Sequence, residues 1–320
     1  MMAEARDDDD DIFVYMGGNQ QVPDEVRRAR IHKSVKIVRA RAFQHRRRLI
    51  YVEFHDGIEV VEEFAFDGCR SLRGPIKLLG VRIIEACAFQ LCRSITDVEF
   101  GDKLETIEDV AFNSCKALRS IRMPSVRTIE VSAFVNCTDL FDVEFGEELR
   151  TLERGAFGGC DNLKRIALPL KDDMIRNHVF DGCVKLTIVD LVGGIHNTVA
   201  SLHLESWRNE MMGEINRINQ ILPTFTAWHK TVPIQRWIGT VNSRLDHYKA
   251  EHHQMLKEAT TLLELALWKV NLDDNGEDRF EREGVRTTRG SRKRARKEIS
   301  VTSGASIVIK NVIPFLQLVE

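Results

Sequence analysis

A chain of 320 residues with 43% hydrophobic content is long enough for one large or two moderate domains with a real core. Its formal net charge of −2 excludes a polyelectrolyte, but the sum hides an acidic run, Asp7 to Asp11, and a basic cluster, Arg292, Lys293, Arg294, Arg296 and Lys297. No stretch approaches about 18 consecutive apolar residues, so no membrane span is expected. Seven cysteines without a leader of secretory type point to an intracellular, reducing compartment, cytoplasm or nucleus.

Residues 1–25 read as an acidic N-terminal segment, and from residue 26 to 192 the chain repeats itself. The anchors are Phe43, Phe66, Phe89, Phe112, Phe134, Phe157 and Phe180, at steps of 23, 23, 23, 22, 23 and 23. Three residues after the later six anchors stand Cys69, Cys92, Cys115, Cys137, Cys160 and Cys183. Six residues after each anchor comes Leu or Ile, and then an alternating pair such as Val98 and Phe100. One unit reads L-x-x-I-x-x-x-A-F-x-x-C-x-x-L-x-x-V-x-F. The L-x-x-V-x-F part alternates as a strand does, and AFxxC is a compact turn or short helix. A unit this small cannot bury its own apolar residues, so the units must stack into one core. VRRARIHKSV at 26–35 is a half-repeat that caps the N-terminal end. The second unit carries one extra residue near Pro75, which makes Ile76 and Leu78 its inward pair.

The AFxxCxxLxxIxIP pattern resembles the BspA-like class of leucine-rich repeats. The stretches LVGGIHNTVASLHLESW, KEATTLLELALWK and TRGSRKRARKEISVTSGASIVIKNV look like the shared C-terminal part of a lineage-expanded family of such proteins in unicellular algae. The resemblance implies an α/β repeat solenoid with a parallel sheet, and it carries over no catalytic residue. The position eight after the Leu departs from the Asn-ladder pattern, with Gly57, Lys103 or Glu148 in its place. The cysteine column reads as a ladder of packed thiols. Its spacing lacks the close pairs of a zinc site, so no metal and no cofactor are expected.

The outward strand positions alternate in sign between neighbouring units. Glu53, Asp97, Glu99, Asp142, Glu144 and Asp190 belong to one set, and Arg73, Arg119, Arg122, Lys164 and Arg165 to the other. They form a self-neutralising cross-strand ladder, a recognition strip for a protein partner, or both. Tyr51 and Phe141 are the aromatic anchors of such a concave face. The interleaved acids disfavour nucleic acid.

Beyond Gly193 the period becomes helical. Leu204, Trp207, Met211, Ile215, Ile218 and Leu222 mark one amphipathic helix, and a stripe from Trp237 to Val270 marks a longer one that ends at NLDDNGED. The domain reading is therefore a helical hairpin at 193–275, able to form a homo-oligomer, a basic flexible linker at 276–300, and a docked apolar element at 301–320. His247 and His252 lie five apart and do not share a helical face as a metal pair would. Arg292 to Lys297 form a candidate nuclear-import cluster. There is no phosphate loop, nucleophile elbow or dinucleotide fingerprint. The function expected is a non-enzymatic protein-interaction scaffold. The alternatives are a cell-surface adhesion protein, which the resemblance implies for other lineages, and a nuclear nucleic-acid-associated factor that uses the basic tail.

Overall fold

The structure, a computed structural model, describes residues 12–280; the Asp7 to Asp11 run, the Arg292 to Lys297 cluster and the segment 301–320 lie outside the described residues. Among the described residues, one compact unit holds residues 12–201 together with Arg208–Asn242, and a second holds Leu202–Trp207 and residues 243–280.

The first unit is a parallel solenoid of about seven turns, one Phe anchor to each coil. Its longer strands are Tyr51–Glu53, Pro75–Leu78, Asp97–Phe100, Ser120–Met123, Asp142–Phe145, Arg165–Leu168 and Ile188–Leu191. Alternation sends Val98 and Phe100 inward and leaves Asp97 and Glu99 in solvent. From Pro75–Leu78 onward each strand pairs in parallel with the next coil, as Val143 does opposite Ile166. A second parallel sheet is built from two-residue strands just before the anchors, from Ile37–Val38 to Thr151–Leu152.

The AFxxC stretch is a run of turns, not a helix. Two residues before and two after the anchor the backbone is left-handed, with φ of 58° and 60° at Cys87 and Leu91 and of 61° and 60° at Val110 and Ser114. Such residues reverse the chain and interrupt any helix. The turn amides still find partners: Phe89 N–H donates to the Ala111 carbonyl at 2.8 Å and Phe112 N–H to that of Ala133 at 2.8 Å. The coils are thereby hydrogen-bonded to each other at the turns as well as through both sheets.

All seven anchors and all six column cysteines are 0% exposed. Consecutive anchor rings stack along the solenoid, from 4.8 Å between Phe43 and Phe66 to 6.2 Å between Phe157 and Phe180. Tyr15 meets Phe43 edge-on at 5.2 Å and closes the N-terminal end of the stack. Tyr15 belongs to strand Ile12–Tyr15, which pairs in parallel with Arg28–Ile31. The sequence reading did not anticipate this strand, because four apolar residues beside five aspartates carry no periodicity. In the second coil, Ile76 and Leu78 do face inward. The extra residue places Gly74 at φ 88°, and Pro75, which has no N–H to give, opens the strand there. The longer-strand sheet is interrupted at this point, between Tyr51–Glu53 and Pro75–Leu78.

After the last coil come α1 (Ile195–Ala200), α2 (Glu205–Ile221), the 3-10 turns Leu222–Thr224 and Ala227–His229, and α3 (Thr231–Phe280). α3 continues through NLDDNGED, where the sequence reading ended it. Asn, Asp and a single Gly each weaken a helix by about 1 kcal/mol or less, and only Pro stops one outright. Within the first unit the helices cap the solenoid by bonding to its unpaired backbone. The Asn219 side chain accepts from Val189 N–H at 2.8 Å and donates to Val189 O at 3.2 Å, so it occupies the free edge of the last strand. Thr231 Oγ1 accepts from Phe180 N–H at 3.0 Å. Lys230, 2% exposed, donates to the carbonyls of Val184 at 2.9 Å and Leu186 at 2.5 Å, and its burial lowers its pKa. In the second unit Trp207 stacks on Tyr248 at 5.1 Å, and the His203 and His252 rings lie 3.9 Å apart.

Candidate partner-binding surface

The outward faces of the longer strands form a platform whose charges are mostly spent on one another. Arg30 bonds Glu53 at 2.6 Å and Arg122 bonds Glu144 at 2.8 Å, while Lys77 stands 3.8 Å from Glu99. Arg165 bridges Asp142 at 3.1 Å and Asp190 at 2.9 Å. Strand pairing in parallel brings these partners opposite each other one repeat apart, except Asp190, which stands diagonal to Arg165 and opposite Ala167. Each such half-exposed pair contributes a few tenths of a kcal/mol. Their larger effect is to leave the face near neutrality. Lys77 is the base that the second coil contributes to this rung; Arg73 sits before the strand, because the extra residue shifts the register.

Of the residues singled out from the sequence, Tyr51, Glu53, Asp97, Glu99, Arg122, Asp142, Glu144 and Arg165 lie on the strands. Arg119, Phe141 and Lys164 lie one residue before them, at the strand-entry edge. Phe141 is 52% exposed and Tyr51 39%, with the Arg28 guanidinium 5.7 Å from the Tyr51 ring centre. Between their rungs lies a shallow depression of about 480 Å³, lined by Pro75, Asp97, Glu99, Arg122, Pro124 and Glu144 among others.

Two columns beside the anchors carry runs of like charge, acidic before the anchor in the second to sixth coils, between Arg39 and Arg176, and basic after it in the first four coils, between Asp24 and Thr138. Four residues before the anchor stand Glu62, Glu85, Glu108, Glu130 and Glu153 in successive coils. The outer two are paired, Glu62 with Arg39 at 3.0 Å and Glu153 with Arg176 at 3.7 Å. Glu85 and Glu108 each accept a backbone N–H of the preceding coil, from Glu63 at 3.1 Å and Ala86 at 3.2 Å. Partial burial, aided by the neighbouring carboxylates, raises the pKa of Glu85 and Glu130. The folded state therefore binds protons that the unfolded chain has released. Stability from these groups falls as pH rises from the ordinary carboxylate range through the raised folded values. Glu130→Gln is expected to stabilise the protein by about 0.5 kcal/mol at neutral pH, the scale of a like-charge cross-strand contact, and to remove from the stability–pH curve the fall that Glu130 adds above the ordinary carboxylate range. An unchanged pH dependence would refute this account of Glu130, burial first and neighbouring carboxylates second. In the basic column, four residues after the anchor, stand Arg47, Arg70, Arg93 and Lys116, all exposed. The sequence reading passed over this column, although the repeat alignment displays it.

The six column thiols are structural. Each donates to the carbonyl of the anchor one coil back, for example Cys92 Sγ to Phe66 O at 3.1 Å and Cys115 Sγ to Phe89 O at 3.2 Å. Burial pushes the thiols of Cys69, Cys137 and Cys183 up to about 12, out of the nucleophilic range. Cys87 is the partly exposed thiol. A thiol reagent at neutral pH is expected to label Cys87 alone in the native protein and all seven cysteines in denaturant. Rapid native labelling of a column cysteine would contradict the packing.

A profile of the BspA type Leucine rich repeat region matches residues 24–77 and 75–187, in six copies. The chain belongs to the BspA-type leucine-rich repeat family. Similar solved structures are bacterial. The T. pallidum Leucine Rich Repeat protein is 31% identical over 41% of this chain and 62% of its own, with a TM-score of 0.38. A leucine-rich repeat protein from Eubacterium ventriosum is 19% identical over 50% of this chain and 48% of its own, with a TM-score of 0.36. A leucine rich cell surface protein from Faecalibacterium prausnitzii is 22% identical over 51% of this chain and 59% of its own, with a TM-score of 0.27. The chain thus spans less than two thirds of each of these BspA-type relatives' length. No curated protein matches it. Among the described residues no helix is long and apolar enough to cross a membrane.

Proposed function

We propose that this protein is a non-enzymatic scaffold that binds a protein partner on the strand face of its solenoid. The exposure of Phe141 carries the reading. An aromatic side chain 52% in solvent, on a backbone hydrogen-bonded to the coils on both sides, is an anchor without an intramolecular use. Tyr51 stands four coils away, about 19 Å at sheet spacing. That separation lies within one standard interface of about 800 Å² per partner. The ion-paired floor between the two anchors supplies polar complementarity without a net field, which favours a protein over a polyanion.

The test is affinity capture from the source cell with the full chain as bait. A discrete protein retained by wild type should be lost with Phe141→Ala and Tyr51→Ala, and kept with Trp228→Ala, an exposed aromatic outside the strand face. Retention indifferent to Phe141 and Tyr51, or turnover of a small molecule by the purified chain, would sink the reading.

A further inference from the structure

We infer that the strand-entry edge of the first four coils is a docking strip for an extended acidic segment of a partner protein. The inference rests on the scaffold reading and adds the partner's chemistry. Arg47, Arg70, Arg93 and Lys116 fill one position in four successive coils, and Arg73 and Arg119 follow three residues on in the second and fourth. All six are exposed, and among the described residues none forms an ion pair. The contrast with the strand face is direct, since there nearly every base has an acid opposite it. Even Arg48, next to Arg47, is held by Glu25. The turn segments RRLI, RSLR, RSIT and KALR contain no acid.

Like charges stacked at about 4.8 Å repel. The coils hold them there, with Ala117 N–H bonded to Arg93 O at 3.2 Å and Asp139 N–H to Lys116 O at 3.0 Å. From Arg47 to Lys116 the strip runs about 15 Å, the length of about five extended residues. Carboxylates on such a segment fall within reach of long guanidinium side chains, whose planar fork donates to a carboxylate at two points. A single-stranded nucleic acid would also be attracted, but it binds through aromatic faces on which bases stack. The residues between these cations are Ser71, Ser94 and Ala117. The strip offers charge without a stacking platform, and that selects the acidic peptide.

The experiment is fluorescence anisotropy with the full chain and a labelled peptide of alternating Asp and Ser, beside an oligothymidylate of equal charge. The peptide should bind more tightly than the oligonucleotide, weaken as salt is raised, and weaken at least about tenfold in Arg70→Glu/Arg93→Glu. Arg154→Glu, exposed and outside the strip, should bind as wild type does. An unchanged melting curve for the double variant separates lost binding from lost fold. Tighter binding of oligothymidylate, peptide binding indifferent to Arg70 and Arg93, or no peptide binding at low salt would each overturn the assignment. Binding that appears only after Asp7 to Asp11 are changed to Asn would overturn it too, by giving the strip to this chain's own acidic run. A captured partner that persists in Arg70→Glu/Arg93→Glu would sink the strip and leave the scaffold. Peptide binding that survives in Phe141→Ala while the partner is lost would keep both.

Discussion

Gly146→Ala is expected to destabilise the solenoid by about 3 kcal/mol or more, the upper end of what overpacking costs. A Cβ at Gly146 would lie 1.7 Å from the Pro124 carbonyl oxygen and 2.5 Å from its carbon. Gly101 repeats the situation two coils earlier, with 1.9 Å to the Leu79 oxygen. The glycines follow the last strand residue of their coils, where each coil turns away and its backbone passes against the previous one. Relief requires backbone movement, because the opposing atoms are main chain on a hydrogen-bonded rung. Gly213→Ala is the control. It lies inside α2 with no atom within 4 Å of a new Cβ, and it should gain about 0.5–1 kcal/mol from helix propensity. Urea unfolding of the two variants should shift the midpoint in opposite directions. A neutral Gly146→Ala would mean that the coils do not approach so closely.

Much of this architecture is legible in the sequence because it is periodic. A Phe, a Cys and a Leu at fixed offsets determine which side chains stack and which strand residues point inward, and the anchors are buried as that periodicity requires. The surface is less legible, because charge pairing depends on register to the single residue. Arg73 reads as the base of the second coil until Gly74 and Pro75 shift the strand, and Lys77 is the one opposite Glu99. The end caps are least legible. Asn219, Lys230 and Thr231 look like ordinary polar residues of a helical stretch. Their role comes from bonding the backbone of Val189, Val184 and Phe180, which lie 30 to 51 residues earlier in the chain. No local pattern encodes such a contact, since its partner is an unpaired amide or carbonyl that exists only once the last coil has formed. The basic strip was missed for another reason. Its column lies in the turns, outside the alternating strand positions that mark an outward face.

Phe112→Ala should cost about 3–5 kcal/mol, the range for removing a buried aromatic ring, and should also reduce the cooperativity of unfolding. Its ring stacks on Phe89 at 5.1 Å with 6° between planes and on Phe134 at 5.2 Å with 2°, and Phe100 meets it edge-on at 5.9 Å. The substitution therefore removes two stacked contacts and an edge contact, each worth about 0.5–1.5 kcal/mol beyond area, and leaves a cavity that rigid neighbouring coils cannot fill. Phe180 offers the comparison. It is equally buried, but it has a single stacked neighbour, Phe157, at 6.2 Å. Phe180→Ala should cost less. Coils couple only to their neighbours, so a weak central coil should let the N- and C-terminal coils open separately, while a weak end coil should fray alone. Hydrogen exchange resolves the difference. With Phe112→Ala, amides of the coils on its two sides should exchange at distinct rates, and the urea transition should broaden. With Phe180→Ala, faster exchange should be confined to the last coil and its helical cap. Equal destabilisation by both substitutions, with exchange rising uniformly along the solenoid, would show that the aromatic stack does not transmit stability from coil to coil.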